Sequence, residues 1–258
     1  MEDAFHRAVS QGDTSMVKYY IDNGVNVNVY DRNAYSALWK ATRDEEYDLV
    51  KTLIECKANV NLRNNETSKY DEPPRKETSI YCAISTKNLV ILEYLLQHGA
   101  NPNMKRLDPE GETALSFAIS HSKKSTKETD LEIVRTLLKY GADPNNRDGL
   151  FGDYPLYWAI LTDMYWCNGQ NDFAKLLMKY NARTDIRHTS DGEHVLVFAI
   201  QYKNYDLLKM LVNNGANVNA TAYKWKRGTI LEYSEENGDI ELSKILISAG
   251  AKKSIKWQ

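Results

Sequence analysis

The chain has 258 residues, 42% of them hydrophobic and 26% charged, with a formal net charge of −2. That length carries one or two globular domains or one elongated array, and interspersed charge gives no general attraction to nucleic acid or an anionic membrane. No stretch approaches the roughly 20 continuous apolar residues of a spanning helix, and the acidic start Met1-Glu2-Asp3 lacks the layout of a secretory signal.

Taken in chain order, the predicted elements come in pairs. A small residue marks each first helix, at Ala8, Ala41, Ala83, Ala118, Ala159, Ala199 and, more loosely, Ser234. A stop marks each second helix, at Gly24, Lys57, Gly99, Gly141, Asn181, Gly215 and Gly250. In five of the seven pairs the marks lie 16 residues apart, room for two short antiparallel helices and a turn. Glycine or asparagine at the stop suits a left-handed C-cap. The second helices carry apolar stripes, as in Leu49-Val50 with Leu53-Ile54, Ile133-Val134 with Leu137-Leu138, and Leu207-Leu208 with Leu211-Val212. Alanine recurs in the first helix because a larger side chain would hold neighbouring helices apart.

The period divides the chain into seven repeats, approximately residues 1–31, 32–64, 77–106, 112–147, 153–187, 193–221 and 228–258, in a single domain. An insert over 64–77, polar and interrupted by Pro73-Pro74, reads as a lengthened loop. Two more, about 121–130 and 163–171, enlarge the helix pairs of repeats four and five and are expected on the edge opposite the loops. The first and last repeats read as end caps of a complete array. Cys56, Cys82 and Cys167 are odd in number and lie in different repeats, so no disulfide framework is implied and a reducing, intracellular compartment fits.

The openings Ser36-Ala37-Leu38-Trp39-Lys40-Ala41, Thr78-Ser79-Ile80-Tyr81-Cys82-Ala83 and Thr113-Ala114-Leu115-Ser116-Phe117-Ala118, with Tyr154-Pro155-Leu156-Tyr157-Trp158-Ala159 and His194-Val195-Leu196-Val197-Phe198-Ala199, carry a resemblance. With stops such as Gly99-Ala100-Asn101-Pro102-Asn103, they resemble the Thr-Pro-Leu-His-x-Ala opening and close of the ankyrin repeat over nearly the whole chain. The resemblance implies an all-α repeat solenoid, an ankyrin array of helix-turn-helix units with β-hairpin-like fingers. The family's histidine survives only as His6; Trp39, Tyr81, Ser116, Tyr157, Val197 and Glu232 fill its slot, and aromatic packing is expected to replace its hydrogen bonds.

The resemblance also implies that finger tips and the exposed side of the first helices line a concave groove for a partner protein. Carried over position by position, the candidate partner-binding residues are Tyr30, Arg32, Tyr35, Arg43, Arg63, Lys105, Arg106, Arg147, Phe151, Arg187, Tyr202, Tyr223, Trp225 and Arg227. Arg63, Lys105, Arg147 and Arg187 occupy one finger slot and predict a ladder of positive charge, hence an acidic-surfaced partner. Tyrosine, tryptophan and arginine are the residue types that dominate interface hot spots.

Catalysis has little support. The histidines His6, His98, His121, His188 and His194 are scattered, and no metal-ligand spacing or phosphate loop occurs. No catalytic residue, metal or cofactor is expected. The expected function is a non-enzymatic protein–protein interaction module, an intracellular, cytoplasmic monomer when free, that neutralises its partner as an inhibitor or immunity protein does. The alternatives are an adaptor or effector of an intracellular bacterium or large DNA virus that recruits a host protein, and an enzyme built on the inserts around His121, Asp130, Tyr165 or Cys167.

Overall fold

Short amphipathic segments with a polar cap at one end and a left-handed residue at the other fold here into helix after helix. The computed structural model describes residues 1–64, 76–107, 111–148, 153–165, 169–188, 192–221 and 228–253. Phe151, Cys167, Tyr223, Trp225, Arg227 and residues 65–75 of the long finger lie outside the described residues.

Among the described residues there are fourteen helices and no extended strand. Contacts divide the chain into two units. The first (Met1–Ser122, Thr126–Asp143 and Asp148–Leu150) holds α1 (Glu2–Ser10), α2 (Thr14–Asp22), α3 (Ala37–Arg43), α4 (Tyr47–Glu55), α5 (Ser79–Ser85), α6 (Leu89–Gln97), α7 (Ala114–Ser120) and α8 (Lys127–Lys139). The second holds α9 (Pro155–Tyr165), α10 (Asp172–Lys179), α11 (Val195–Gln201), α12 (Tyr205–Asn213), α13 (Ile230–Glu236) and α14 (Ile240–Ser248). Consecutive helices pair as hairpins. In the first unit α1, α3, α5 and α7 also pack in one row and α2, α4, α6 and α8 in another, the all-α repeat solenoid expected from the sequence.

Local chemistry explains the boundaries. Side chains of Asp13, Ser36, Asn88, Thr113, Asn204 and Asp239 each accept a backbone N–H in the first turn of the helix they precede. Thr229 and Glu232 form a reciprocal capping box on α13. At the stops, Gly99 has φ +89°, whereas Lys57 is forced to +68° in the same slot.

The alanine marks are buried: Ala83, Ala118, Ala159 and Ala199 have no exposure, and Ser234 satisfies its hydroxyl with Leu231 O and Ser243 Oγ. Leu53, Leu95 and Leu137 line the core of the first unit, and Leu207, Leu211 and Leu246 that of the second. Cys82 is buried, and Cys56 is half-buried at the end of α4.

Asparagines tie successive repeats together. Asn61 Oδ1 accepts from Asn101 N (2.7 Å) and its Nδ2 donates to Gly99 O (2.9 Å). Asn103 repeats this with Asp143 N (2.8 Å) and Gly141 O (2.8 Å), and Asn145 with Arg183 N (2.8 Å) and Asn181 O (3.2 Å). Asn28 and Asn219 keep the accepting half, from Asn59 N and Lys252 N. Fingers close on single antiparallel bridges, Tyr30 with Ser36, Arg187 with His194 and Thr221 with Thr229.

The described parts of the repeat-four and repeat-five inserts partly extend helices, and residues 121–126 form a turn before α8. In repeat four the extra residues lengthen α8 at its start and bury Asp130, whose carboxylate accepts from Ser122 Oγ (2.8 Å), Thr126 Oγ1 (2.7 Å) and Lys87 Nζ. In repeat five they lengthen α9 to 11 residues, and Asn171 before α10 exchanges amide hydrogen bonds with Asn204 (2.9 and 3.2 Å).

Candidate functional site

Residues four apart on a helix share a face, and Tyr35, Trp39 and Arg43 use that spacing at α3. Asp31 holds the finger before the helix by accepting from Asn33 N and Tyr35 N (both 2.9 Å). The Tyr35 ring then lies flat on Trp39, centroids 4.4 Å apart and planes 7° apart, and the Arg43 guanidinium sits 5.6 Å from the Trp39 ring. Arg43 also forms a two-point ion pair with Asp44, at 2.8 and 3.1 Å.

From this stack a line of contacts runs through the first unit. Trp39 Nε1 donates to Glu77 Oε1 (3.3 Å), and Glu77 Oε2 lies 3.7 Å from Arg106 Nε. Arg106 Nη1 donates to Glu112 Oε2 (3.3 Å), with its guanidinium 5.0 Å over the Phe117 ring. Glu112 Oε1 accepts from Ser120 Oγ (2.9 Å), and the His121 ring packs against Phe117. Tyr81, fully buried, shares its one hydroxyl proton between Met104 O and Glu112 O at 2.6 and 2.8 Å, and burial pushes its hydroxyl far above the usual range. The histidine slot thus keeps its hydrogen-bonding role through Tyr81 and Trp39, where aromatic packing alone was expected.

The bases expected at the fingers of the first unit sit in different surroundings. Arg106, expected at an exposed finger, is 4% exposed, because two carboxylates and an aromatic face stabilise its charge inside. Arg63, half-buried, turns its guanidinium onto Lys76 O and Lys105 O, and Arg32 forms an exposed pair with Asp3. Tyr30, at the edge of exposure, donates to Arg63 O (2.9 Å). Lys105 is half-buried beside this cluster.

In the second unit the exposed Arg147 lies 5.1 Å over Tyr154, and Arg187 donates to Gly192 O (2.9 Å) and Thr221 O (3.4 Å). Tyr202 is exposed with its hydroxyl on that of Tyr165. Tyr157 stacks on His188 with centroids 4.5 Å apart.

Trp39, itself buried, and Glu77 were missed as members of this line of contacts by sequence reasoning. Trp39 stood out only as a lost histidine, and Glu77 was not singled out at all. The asparagine bridges were legible in principle, as an asparagine two residues after each Asn or Asp of the stop. Glu112, Ser120 and His121 do meet, but as a poor nucleophile set: Ser120 Oγ donates directly to the carboxylate, and His121 Nδ1 lies near both Ser120 Oγ (2.9 Å) and Phe117 O (3.2 Å). Among the described residues no group of three histidines, cysteines or carboxylates could hold a metal ion, and no helix is long and apolar enough to cross a membrane.

Stacked helix pairs whose first helices and fingers present a joined aromatic and charged surface define a repeat-built interaction scaffold. A family model described as ankyrin repeats matches residues 2–64, 63–148, 124–222 and 164–256. The chain belongs to the ankyrin repeat family. It is similar to a putative ankyrin repeat protein of fowlpox virus, 29% identical over 52% of this chain and 35% of the relative. A putative ankyrin repeat protein of Acanthamoeba polyphaga mimivirus is 31% identical over 73% of this chain and 21% of that protein. The palmitoyltransferase AKR1 of Lachancea kluyveri is 25% identical over 76% of this chain and 28% of the enzyme. The chain therefore spans between about a fifth and about a third of the length of these relatives.

Proposed function

We propose that the chain is a non-enzymatic protein-binding module that holds its partner on the finger and first-helix surface of α3, α5 and α7. The Tyr35–Trp39–Arg43 stack carries this reading. It joins Tyr35 of the finger and Trp39 of α3 to a guanidinium one turn further along that helix, an aromatic and arginine composition that concentrates binding energy at protein interfaces. The charges beside it are mixed, so the partner is recognised by shape and aromatic contact at least as much as by acidity. Lys105, Arg147 and Arg187 remain as candidate contacts, as do Phe151, Tyr223, Trp225 and Arg227.

The test is affinity capture from the native source followed by a binding assay with the recovered protein. Replacing Tyr35 and Arg43 together by Ala should weaken binding at least tenfold, about 1.4 kcal/mol. Tyr19→Ala on α2 should leave it unchanged. Equal binding by both variants overturns the surface assignment.

Recruitment of a host protein is favoured over neutralisation by the fowlpox and mimivirus relatives, which place similar repeats in large DNA viruses. A captured partner whose own activity is unaffected by saturating amounts of the chain supports recruitment. Stoichiometric inhibition supports neutralisation.

A further inference from the structure

The outward sides of the second helices carry a charge pattern that recurs with the repeat. Nine residues before the stop stands an acid in five of the seven repeats, and six residues before it a base in six of them. In repeats two and four these are Asp48 with Lys51 and Glu132 with Arg135, the latter pair 3.2 Å apart. Rows of this kind are the usual solvated face of a helix. Repeat three breaks both rows: Val90 replaces the acid and is 63% exposed, and Glu93 replaces the base. Valine is a poorer helix former than glutamate, and at this exposure it gains little from burial, so neither helix nor core requires it.

Aromatic groups gather round the break. Tyr47 at the start of α4 is exposed and meets Tyr94 edge-on, centroids 5.5 Å apart. Tyr94, four residues after Val90, also packs on His98 at 4.1 Å. Glu93 is drawn aside, accepting from Lys139 Nζ (3.0 Å) and the Tyr140 hydroxyl (3.1 Å). An apolar centre on α6 thus lies between one charged pair on α4 and another on α8. Exposed apolar groups rimmed by polar ones mark interaction surfaces. The three helices run in the same sense: Asn88 before α6 donates to Glu45 before α4, and Gln97 at the end of α6 donates to the Tyr140 hydroxyl after α8.

We propose that this face docks a second copy of the chain in a weak two-fold dimer. A two-fold axis crossing the helices between Val90 and Tyr94 lays each helix antiparallel on its own counterpart. Asp48 of one protomer then stands opposite Lys51 of the other, Glu132 opposite Arg135, and Val90 opposite Tyr94, each pairing occurring twice. A two-fold axis running along the helices would instead set Asp48 against Glu132 and Lys51 against Arg135, like against like. Farther out, Lys139 falls near Glu128 and Glu55 near Asp44, one attraction and one repulsion, which leaves the centre to decide. So few side chains fall well short of the roughly 20–30 residues a side of a stable interface. The dissociation constant is therefore on the order of 100 µM, and the free chain, read as a monomer from its sequence, is in equilibrium with a dimer. The α3, α5 and α7 surface belongs to the other row of helices and stays open in both copies.

Sedimentation equilibrium of the full chain tests this, at pH 7 and at loading concentrations on either side of that value. The native chain should show a reversible monomer–dimer equilibrium. Val90→Glu restores the acid of the neighbouring repeats at an exposed site and should weaken association at least tenfold. Arg135→Glu sets like charges together on both sides of the axis and should weaken it at least fivefold. Glu132→Arg combined with Arg135→Glu exchanges the two charges and should recover the native constant to within twofold, which neither misfolding nor loss of one contact would give. A monomer at every concentration overturns the proposal, as does unchanged association of Val90→Glu or a double variant no stronger than Arg135→Glu. Replacing Tyr35 and Arg43 together by Ala should leave self-association unchanged, and loss of the dimer in that variant overturns the α6 interface. A dimer that persists while the same variant still binds a captured partner at full strength keeps this interface and overturns the α3 surface alone.

Discussion

His194 shows how one side chain can make a helix start depend on pH. It stands where Ser36, Thr113 and Thr229 cap their helices, and it accepts from Leu196 N through Nδ1 while Nε2 donates to Asp185 Oδ1 (2.8 Å). The cap requires an unprotonated Nδ1. Burial depresses the imidazole pKa below its usual value near 6.5, more than the hydrogen bond to Asp185 raises it. The unfolded chain therefore takes up the proton first, and the stabilisation is complete above pH 6.5 and declines as pH falls below it. Urea midpoints between pH 7.5 and 5.5 should fall more steeply for the native chain than for His194→Thr. Lys57 is a position where the backbone, not a titration, sets the balance. Its φ of +68° is left-handed backbone that costs a non-glycine residue about 1 kcal/mol, so Lys57→Gly should stabilise by about 0.5 kcal/mol after glycine's greater unfolded-state entropy is counted, read as a raised Tm.

Elements are held to one another by a few polar links set in apolar packing. The clearest is Asp130 on α8, with no exposure and bonds to Lys87, Ser122 and Thr126. Asp130→Ala removes the carboxylate from a one-quarter-exposed lysine and two hydroxyls, and should cost about 3 kcal/mol. The loss should appear in chemical denaturation, with faster amide exchange over the first turn of α8. That link was hard to see in advance, because it joins residues 43 apart through an insert that broke the repeat count. Helix pairs were legible for the opposite reason. Alanine and glycine are demanded at fixed offsets by close approach and by left-handed backbone, so Ala83 and Gly99 recur whatever the surface does. Surface geometry follows no such period: nothing local said that Arg106 would turn inward to Glu112 while Arg147 stayed exposed.

At the scale of the molecule, each repeat contacts chiefly its neighbours, and stability is close to a sum of repeat and interface contributions. A cavity in one place should then be felt nearby and little elsewhere. Leu207 is fully buried in α12. Leu207→Ala should cost about 2–5 kcal/mol, speeding amide exchange in α12 and its hairpin partner α11 while Val50 and Leu92 in the first unit keep their protection. Uniform acceleration across both units would mean that the chain unfolds as one cooperative block.

The pairing of four arginines in the first unit has a kinetic consequence. Arg63 is fastened to carbonyls, Arg106 to carboxylates, and Arg32 and Arg43 to adjacent acids, so little unbalanced positive potential extends beyond a Debye length of about 10 Å at 0.1 M salt. Encounter with a partner then proceeds at the unsteered rate of roughly 10⁵–10⁶ M⁻¹s⁻¹. Tight complexes of this chain would have to be long-lived rather than quickly formed.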